Sequence, residues 1–307
     1  MESATLVADM DEAIAVSRAA TAPATRIGDF VALTKPRMNF LVVVTTGVGY
    51  FMAARGWNDW SRLFNTLAGT ALTAAGASVL NQYAERDFDA RMVRTQDRPL
   101  PAGRVMPIEA LMWGVLLAIV GILELGFFVN LLTAALAAFT LASYVLIYTP
   151  LKRYSTLCTI VGAIPGAVPI VMGWAAARGS LSPETVALFG ILFLWQMPHF
   201  LAIAILYRDD YAAGGFKMLP VVDTTLRTTA GQIVLYAAAL IPVSLLPTLF
   251  HTAGVIYLTA AIALGAIFAG FGVLCAISRA RAEARQLFLA SIFYLPLLLC
   301  VMMVDKI

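Results

Sequence analysis

Apolar residues fill this chain in runs of about 20 separated by short polar connections, a pattern longer than any strand and more continuous than a half-buried helix. The runs fall at about 36–54, 63–84, 108–128, 131–149, 157–177, 185–207, 230–250, 254–277 and 286–304. Each is long enough for an α-helix to cross the hydrocarbon core of a bilayer. Several contain glycine or proline, which helices in lipid tolerate better than helices in water. The pattern predicts an all-α, polytopic membrane protein with about nine transmembrane helices. Residues 1–29 are polar, mixed in charge and without the apolar core of a signal peptide, so they read as a flexible cytoplasmic tail. A single transmembrane domain then occupies 30–307.

Composition narrows the class further: 61% of the 307 residues are hydrophobic and 13% charged. That excludes a disordered chain and an ordinary soluble domain. The net charge of +3 matters less than where the charges sit. When successive connections are assigned to alternate sides, all 21 lysines and arginines except Arg55, Arg62, Arg178 and Lys306 fall on one side. Basic residues accumulate on the cytoplasmic side. The N-terminus is therefore expected inside and the C-terminus on the far side of a cell inner membrane, with the lipid bilayer as partner and no nucleic acid. Cys158, Cys275 and Cys300 match no disulfide or zinc spacing and read as small lipophilic packing residues. The cytoplasmic connections at about 85–107 and 208–229 are long and charged, while the opposite links are short. Long ordered loops are usually functional, so a central cavity should open to the cytoplasm.

The second run ends in NQYAERDFDARMVRTQDRPLPAGR. Asn81, Glu85 and Asp89 are four residues apart, which puts them on one helix face with about 6 Å of rise between neighbours. Two carboxylates and an amide oxygen so spaced can hold Mg²⁺ and leave coordination positions for phosphate oxygens. Gln82 lies beside this face and Asp87 points away; the plainer reading is a helix end solvated by interleaved charges. Arg94, Arg98 and Arg104 follow. Proline restricts the residue before it to extended geometry, so Arg98 to Pro101 should be a stiff loop that aims its arginines at a diphosphate.

Other candidates lie at three more helix ends. Tyr148 and Lys152 are four apart and can together meet a phosphate, or they are an interfacial tyrosine and a snorkelling lysine. Lys35 and Arg37 open the first run, Arg153 follows Lys152, and all three also fit as positive-inside flanks. In the sixth run, Gln196, Pro198 and His199 interrupt an apolar stretch, where a polar group needs a partner. Pro198 should kink that helix. Tyr207 and Asp210 are three apart and His199 is two turns earlier, so the three are expected along one stripe. With Asp209 and Lys217 they make a second candidate metal or anion site. A packing kink, a satisfied core histidine and a solvated Asp-Asp end are the plainer alternatives.

These residues resemble the UbiA superfamily of intramembrane prenyltransferases. The superfamily marks are Asn-x-x-x-Asp-x-x-x-Asp after the second helix, Tyr-x-x-x-Lys after the fourth and Asp-x-x-x-Asp after the sixth. Here Glu85 replaces the middle aspartate, and Tyr207 and Tyr211 fall where the last two aspartates would be. The departures are similar to the heme O synthase branch, whose NQxxERDxD, RTxxRPLPxGR, WQMPHF and DDY followed by MLPVV are all present.

The resemblance implies transfer of a farnesyl group from farnesyl diphosphate to a vinyl group of heme b, with Mg²⁺ assisting diphosphate departure and heme O as product. It implies Asn81, Glu85 and Asp89 as metal ligands assisted by Gln82, with Asp209 and Asp210 as second-site candidates. It implies Arg94, Arg98, Lys152 and Lys217 as counter-charges to the diphosphate. Tyr148, Tyr207 and Asp210 would join the catalytic set, with Lys35, Arg37 and Arg153 as further binding residues. Trp195, Phe200 and Tyr207 could face the allylic cation, and His199 is the candidate for heme contact. A downstream heme-modifying enzyme or terminal oxidase is the implied partner. Rival readings are a prenyltransferase for a quinone precursor or chlorophyllide, a transporter, and a structural heme-binding subunit.

Overall fold

The computed structural model describes residues 25–55 and 59–307. The expected tail lies outside the described residues as far as position 24. Its last residues are not tail: the Thr25 side chain caps a short helix, α1 (Arg26–Leu33), that crosses the boundary drawn at 29. Asp29 on α1 is buried and pairs with Arg104 at 2.9 Å, so the loop before α4 holds this helix in place.

Nine long helices follow in the predicted order. They are α2 (Pro36–Ala53), α3 (Trp60–Asp89), α4 (Pro107–Phe128), α5 (Leu131–Ala142), α6 (Cys158–Arg178), α7 (Pro183–Leu206), α10 (Arg227–Leu249), α11 (Val255–Ser278) and α12 (Arg281–Val304). Two short helices, α8 (Arg208–Ala213) and α9 (Leu219–Val222), lie in the long connection after α7. Among the described residues, eight helices are long and apolar enough to cross a membrane. The ninth predicted crossing, α2, forms where expected, but its first turn carries Arg37 and Asn39 and only its later part is apolar. Proline at the first position of α2, α4 and α7 starts each helix where a missing N–H costs nothing.

The fourth predicted crossing is not one regular helix. After Ala142 the backbone widens into a π-helical turn, Ser143–Tyr148, and closes with one further turn, Thr149–Leu151. Such turns shift the helical register and are frequent at functional sites.

Helices in lipid gain nothing from burying leucine against leucine, so they associate through small residues that let backbones approach. A Cβ on Gly49 of α2 would stand 1.9 Å from the Ile170 carbonyl oxygen of α6, and one on Gly173 of α6 1.9 Å from that of Thr46. Gly76 and Gly121 do the same for α3 and α4, where an added Cβ would stand 2.7 Å from Ala118 N and 2.5 Å from Thr73 Oγ1. Helices α6 and α7 are the most enclosed, with 72% and 61% of their apolar segments buried. The ring closes where α12 meets α2: Lys306 Nζ donates to the carbonyls of Phe51 and Ala54 at 2.5 and 2.7 Å.

Candidate active site

The last two turns of α3 carry Asn81, Glu85 and Asp89 on one face, and all three are at most 4% exposed. Buried carboxylates persist only when paired and hydrogen-bonded. Lys152 Nζ meets Glu85 Oε1 at 2.7 Å, and Arg98 Nη1 meets Asp89 Oδ2 at 2.7 Å. Asn81 Nδ2 donates to Thr149 Oγ1 at 3.0 Å, while Lys35 Nζ donates to Asn81 Oδ1 at 3.4 Å. Three segments distant in sequence thus converge on one helix end. Three basic side chains, Lys35, Arg98 and Lys152, surround the two carboxylates.

Each cation is aimed by local structure. Lys35 sits in left-handed backbone, φ 48° and ψ 60°, between α1 and Pro36. That conformation is costly for a non-glycine residue, and doubly so before proline. It turns the side chain toward α3. Lys152 follows the π-helical turn and lies 4.5 Å from the centre of the Tyr148 ring. Gly162 makes room for that ring, since a Cβ there would stand 2.5 Å from it. Arg98 is placed by consecutive turns: its N–H donates to Thr95 O at 3.0 Å, and its carbonyl accepts from Ala102 N at 3.0 Å. The loop is therefore folded into turns, not extended as its prolines suggested, because buried Leu100 and Val105 pin it to the bundle. Burial acts against the charged form of Lys152, but the charge and hydrogen bond of Glu85, together with Tyr148 and Tyr144, outweigh it and hold the ammonium well above the usual lysine range. Burial, reinforced by the Arg98 guanidinium, pushes Lys35 down to about 7.

Several expected residues serve the frame instead. Gln82 donates to Leu33 O at 2.6 Å and braces α1. Arg153 donates to Ala84 O at 3.0 Å and covers the Phe88 ring, a strut on α3. Arg94 is exposed, 4.9 Å from the centre of the Tyr207 ring. Arg37 is exposed on α2; the exposed Lys217 touches the site through its backbone, whose N–H donates to Lys152 O at 2.7 Å. Tyr148 offers Lys152 its ring face, not the hydroxyl contact that the spacing suggested.

The predicted stripe of His199, Tyr207 and Asp210 is broken. Helix α7 runs past Pro198 and ends at Leu206; Tyr207, with φ −110° and ψ 30°, turns the chain into α8. Asp210 accepts the Val93 N–H at 3.2 Å, and the Asp209 side chain is 89% exposed beside Arg281. No described contact joins either aspartate to the α3 face. Among the described residues no three histidine, cysteine, aspartate or glutamate side chains gather as a metal cluster. His199 and Trp195 face α12, where both bond to Ser291.

Sequence reasoning missed Thr149 and Ser291. The first is brought to Asn81 by the π-helical turn, which has no sequence signature, and the second is one of many small residues in an apolar helix. A cavity of about 30 Å³ lies two turns below Asn81 between Ala74, Ala77, Thr73 and Thr140. A larger groove of about 410 Å³ runs between α11 and α12, but no predicted site residue lines it.

The pattern of the UbiA prenyltransferase family matches residues 42–296, well over half of the chain. The chain is 48% identical over 287 residues to a protoheme IX farnesyltransferase of Solibacter usitatus, covering 91% of this chain and 98% of that one. It is 44% identical over 311 residues to the protein of that name from Koribacter versatilis, covering 98% and 99%. A solved digeranylgeranylglyceryl phosphate synthase superposes with a TM-score of 0.75 at 17% identity, covering 91% of this chain and 98% of that one. A UbiA homologue from Archaeoglobus fulgidus, solved with DMAPP and Mg²⁺, superposes with a TM-score of 0.67 at 14% identity, covering 89% and 99%. At those identities the two structures speak for the fold alone.

Proposed function

This chain belongs to the UbiA prenyltransferase family, and from that premise we propose that it transfers the farnesyl group of farnesyl diphosphate to a vinyl group of heme b, giving heme O. The observation that carries the reading is the buried α3 face, where oxygen donors and three basic side chains meet at the end of an apolar bundle. The named relatives at 48% and 44% identity support heme b as the acceptor.

The donor set fits a hard divalent cation. Each carboxylate spends one oxygen on its ion pair, and the other joins Asn81 Oδ1 as an oxygen ligand of the kind Mg²⁺ takes, with diphosphate oxygens completing the shell. Asn81, Glu85 and Asp89 would hold it, and bound Mg²⁺ supplies charge compensation for the departing diphosphate. Lys35, Arg98 and Lys152 supply the remainder from fixed positions. The C1–oxygen bond breaks with both electrons leaving on the diphosphate. The vinyl π pair then attacks C1, and water adds to the resulting cation and loses a proton. Fixed charges that meet a developing anion without reorganising are the largest contribution to such a step. Apolar walls keep water from the allylic cation until the vinyl carbon reaches it. Asp209 is not among the ligands, and Asp210 positions the loop after α3 through Val93.

The accumulation of basic residues in these loops supports a site on the cytoplasmic face of the inner membrane, with the N-terminus inside. A heme-modifying enzyme or terminal oxidase in the same membrane would consume the product. The test is incubation of membranes with heme b, farnesyl diphosphate and Mg²⁺, followed by mass analysis of extracted hemes. Heme O should form with wild type and disappear with Glu85→Gln or Asp89→Asn. Full turnover by both variants would contradict the assignment.

A further inference from the structure

The amide of Asn81 has two unlike ends on one planar group, and only its oxygen suits a hard cation. Its neighbours decide which end faces which way. On one side stands the fully buried Thr149, whose Oγ1 is 3.0 Å from Asn81 Nδ2. At the other end Lys35 Nζ is 3.4 Å from Asn81 Oδ1.

The threonine hydroxyl has a single hydrogen. It lies on the 2.8 Å bond to the Tyr144 carbonyl oxygen, which can only accept. Toward Asn81 the hydroxyl therefore presents lone pairs, and the amide must meet them with N–H. Lys35 makes the same demand from the opposite end, because an ammonium donates and never accepts. A flipped amide would set acceptor against acceptor at Thr149 and donor against donor at Lys35. In the observed orientation Oδ1 keeps a second lone pair beyond the one that Lys35 uses.

Thr149 owes its place to the π-helical turn. Its backbone N–H also bonds to Tyr144 O, five residues back, where a regular α-helix would pair it with Val145. The residue is thus tied to one carbonyl by both its N–H and its hydroxyl. Three residues on, Lys152 reaches Glu85, so this one widened turn serves two of the three residues on the α3 face.

We infer that Thr149 is a positioning residue that holds the Asn81 amide with its oxygen turned to the metal and its nitrogen turned away. The inference rests on the α3 face being the metal site, as proposed above. Losing a partner that orients a metal ligand costs about 10–100-fold in metal affinity. An aspartate in place of Asn81 would need no such partner, since it offers oxygen at both ends.

The test is titration of the purified full-length protein with Mn²⁺ in saturating farnesyl diphosphate, read by electron paramagnetic resonance. Thermal unfolding in detergent is followed on the same samples as a check on folding. Thr149→Val removes the hydroxyl and keeps the branched shape; it should weaken Mn²⁺ uptake at least about 10-fold. Thr149→Ala should match it, and Thr149→Ser should stay at the wild-type value. In the Asn81→Asp background, Thr149→Val should cost less than about 2-fold, whereas a role confined to packing would cost as much there as in wild type. Equal losses in the two backgrounds, or no loss in Thr149→Val and Thr149→Ala, would overturn the orienting role and leave the metal site standing. Wild type that takes up no Mn²⁺ with farnesyl diphosphate would overturn the metal site and this inference together.

Discussion

Lys35 combines two costs that a protein ordinarily avoids: left-handed backbone at a non-glycine residue, and enclosure that pushes its ammonium down to about 7. Strained residues of this kind persist where the surroundings over-determine them, often at functional sites. Lys35→Gly relieves the backbone and removes the charge; Lys35→Ala removes only the charge. Thermal unfolding in detergent should rank the glycine variant about 1 kcal/mol above the alanine variant, with both weakened in diphosphate binding. Equal stability would mean that the backbone is not strained there. Lys152 and Glu85 make a different test, because each alone would be left buried and unpaired. Lys152→Met should destabilise by about 3 kcal/mol, and adding Glu85→Gln should recover much of that without recovering turnover. A double variant no more stable than the single one would contradict the pairing. At this scale Asn81, Glu85 and Asp89 were legible because helical spacing alone puts them on one face. Lys35 read equally well as a flank, since its strained backbone and its contact with Asn81 depend on α1, which the tail reading had absorbed.

The start of α10 shows how an element is fixed by one side chain outside it. Asp223 Oδ2 accepts from the Thr229 N–H at 2.8 Å and its hydroxyl at 3.0 Å. Burial pushes the Asp223 carboxyl up, but the donors on Thr229, Thr225 and Thr228 outweigh it and hold the group below its ordinary value of 3.8. A depressed carboxylate stabilises the fold above the unfolded value and loses that contribution as pH falls through the folded one. Asp223→Asn should therefore cost about 1 kcal/mol near neutral pH, and the gap to wild type should close on acidification below about pH 4. A gap that persists unchanged in acid would contradict this role. Close packing makes a second test: Gly173→Val should cost about 3 kcal/mol or prevent assembly, because its Cβ meets the backbone of α2. All nine elements could be read from the apolar runs, since length and hydropathy decide membrane helices. The break at Tyr207 and the π-helical turn could not, because both leave the hydrophobic pattern unchanged.

Across the whole molecule, the charge pattern and the fold explain each other. Most basic residues lie with the charged loops, and three of the four exceptions have structural partners at the other ends of the helices. Lys306 and Arg178 donate to the last carbonyls of α2, and Arg62 approaches Asp59 at the start of α3. Four orphan carbonyls end every helix, and these two cations satisfy several of them where α12, α6 and α2 meet. Lys306→Met should lower the unfolding temperature without changing heme or diphosphate binding; a change in binding at unaltered stability would contradict the capping role. Family membership removes the transporter and structural-subunit readings and leaves the two charged connections in unequal roles. The first builds the donor face, and the second supports it through Asp210, Phe216 and the backbone of Lys217.

The central claim is that the α3 face, and not the Asp209–Asp210 pair, holds the metal and the diphosphate. Electron paramagnetic resonance of Mn²⁺ in place of Mg²⁺, recorded with farnesyl diphosphate, measures this directly. Wild type and Asp209→Asn should take up Mn²⁺ only when the diphosphate is present, and Glu85→Gln with Asp89→Asn should take up none. Uptake retained by the double variant but lost in Asp209→Asn would contradict the account.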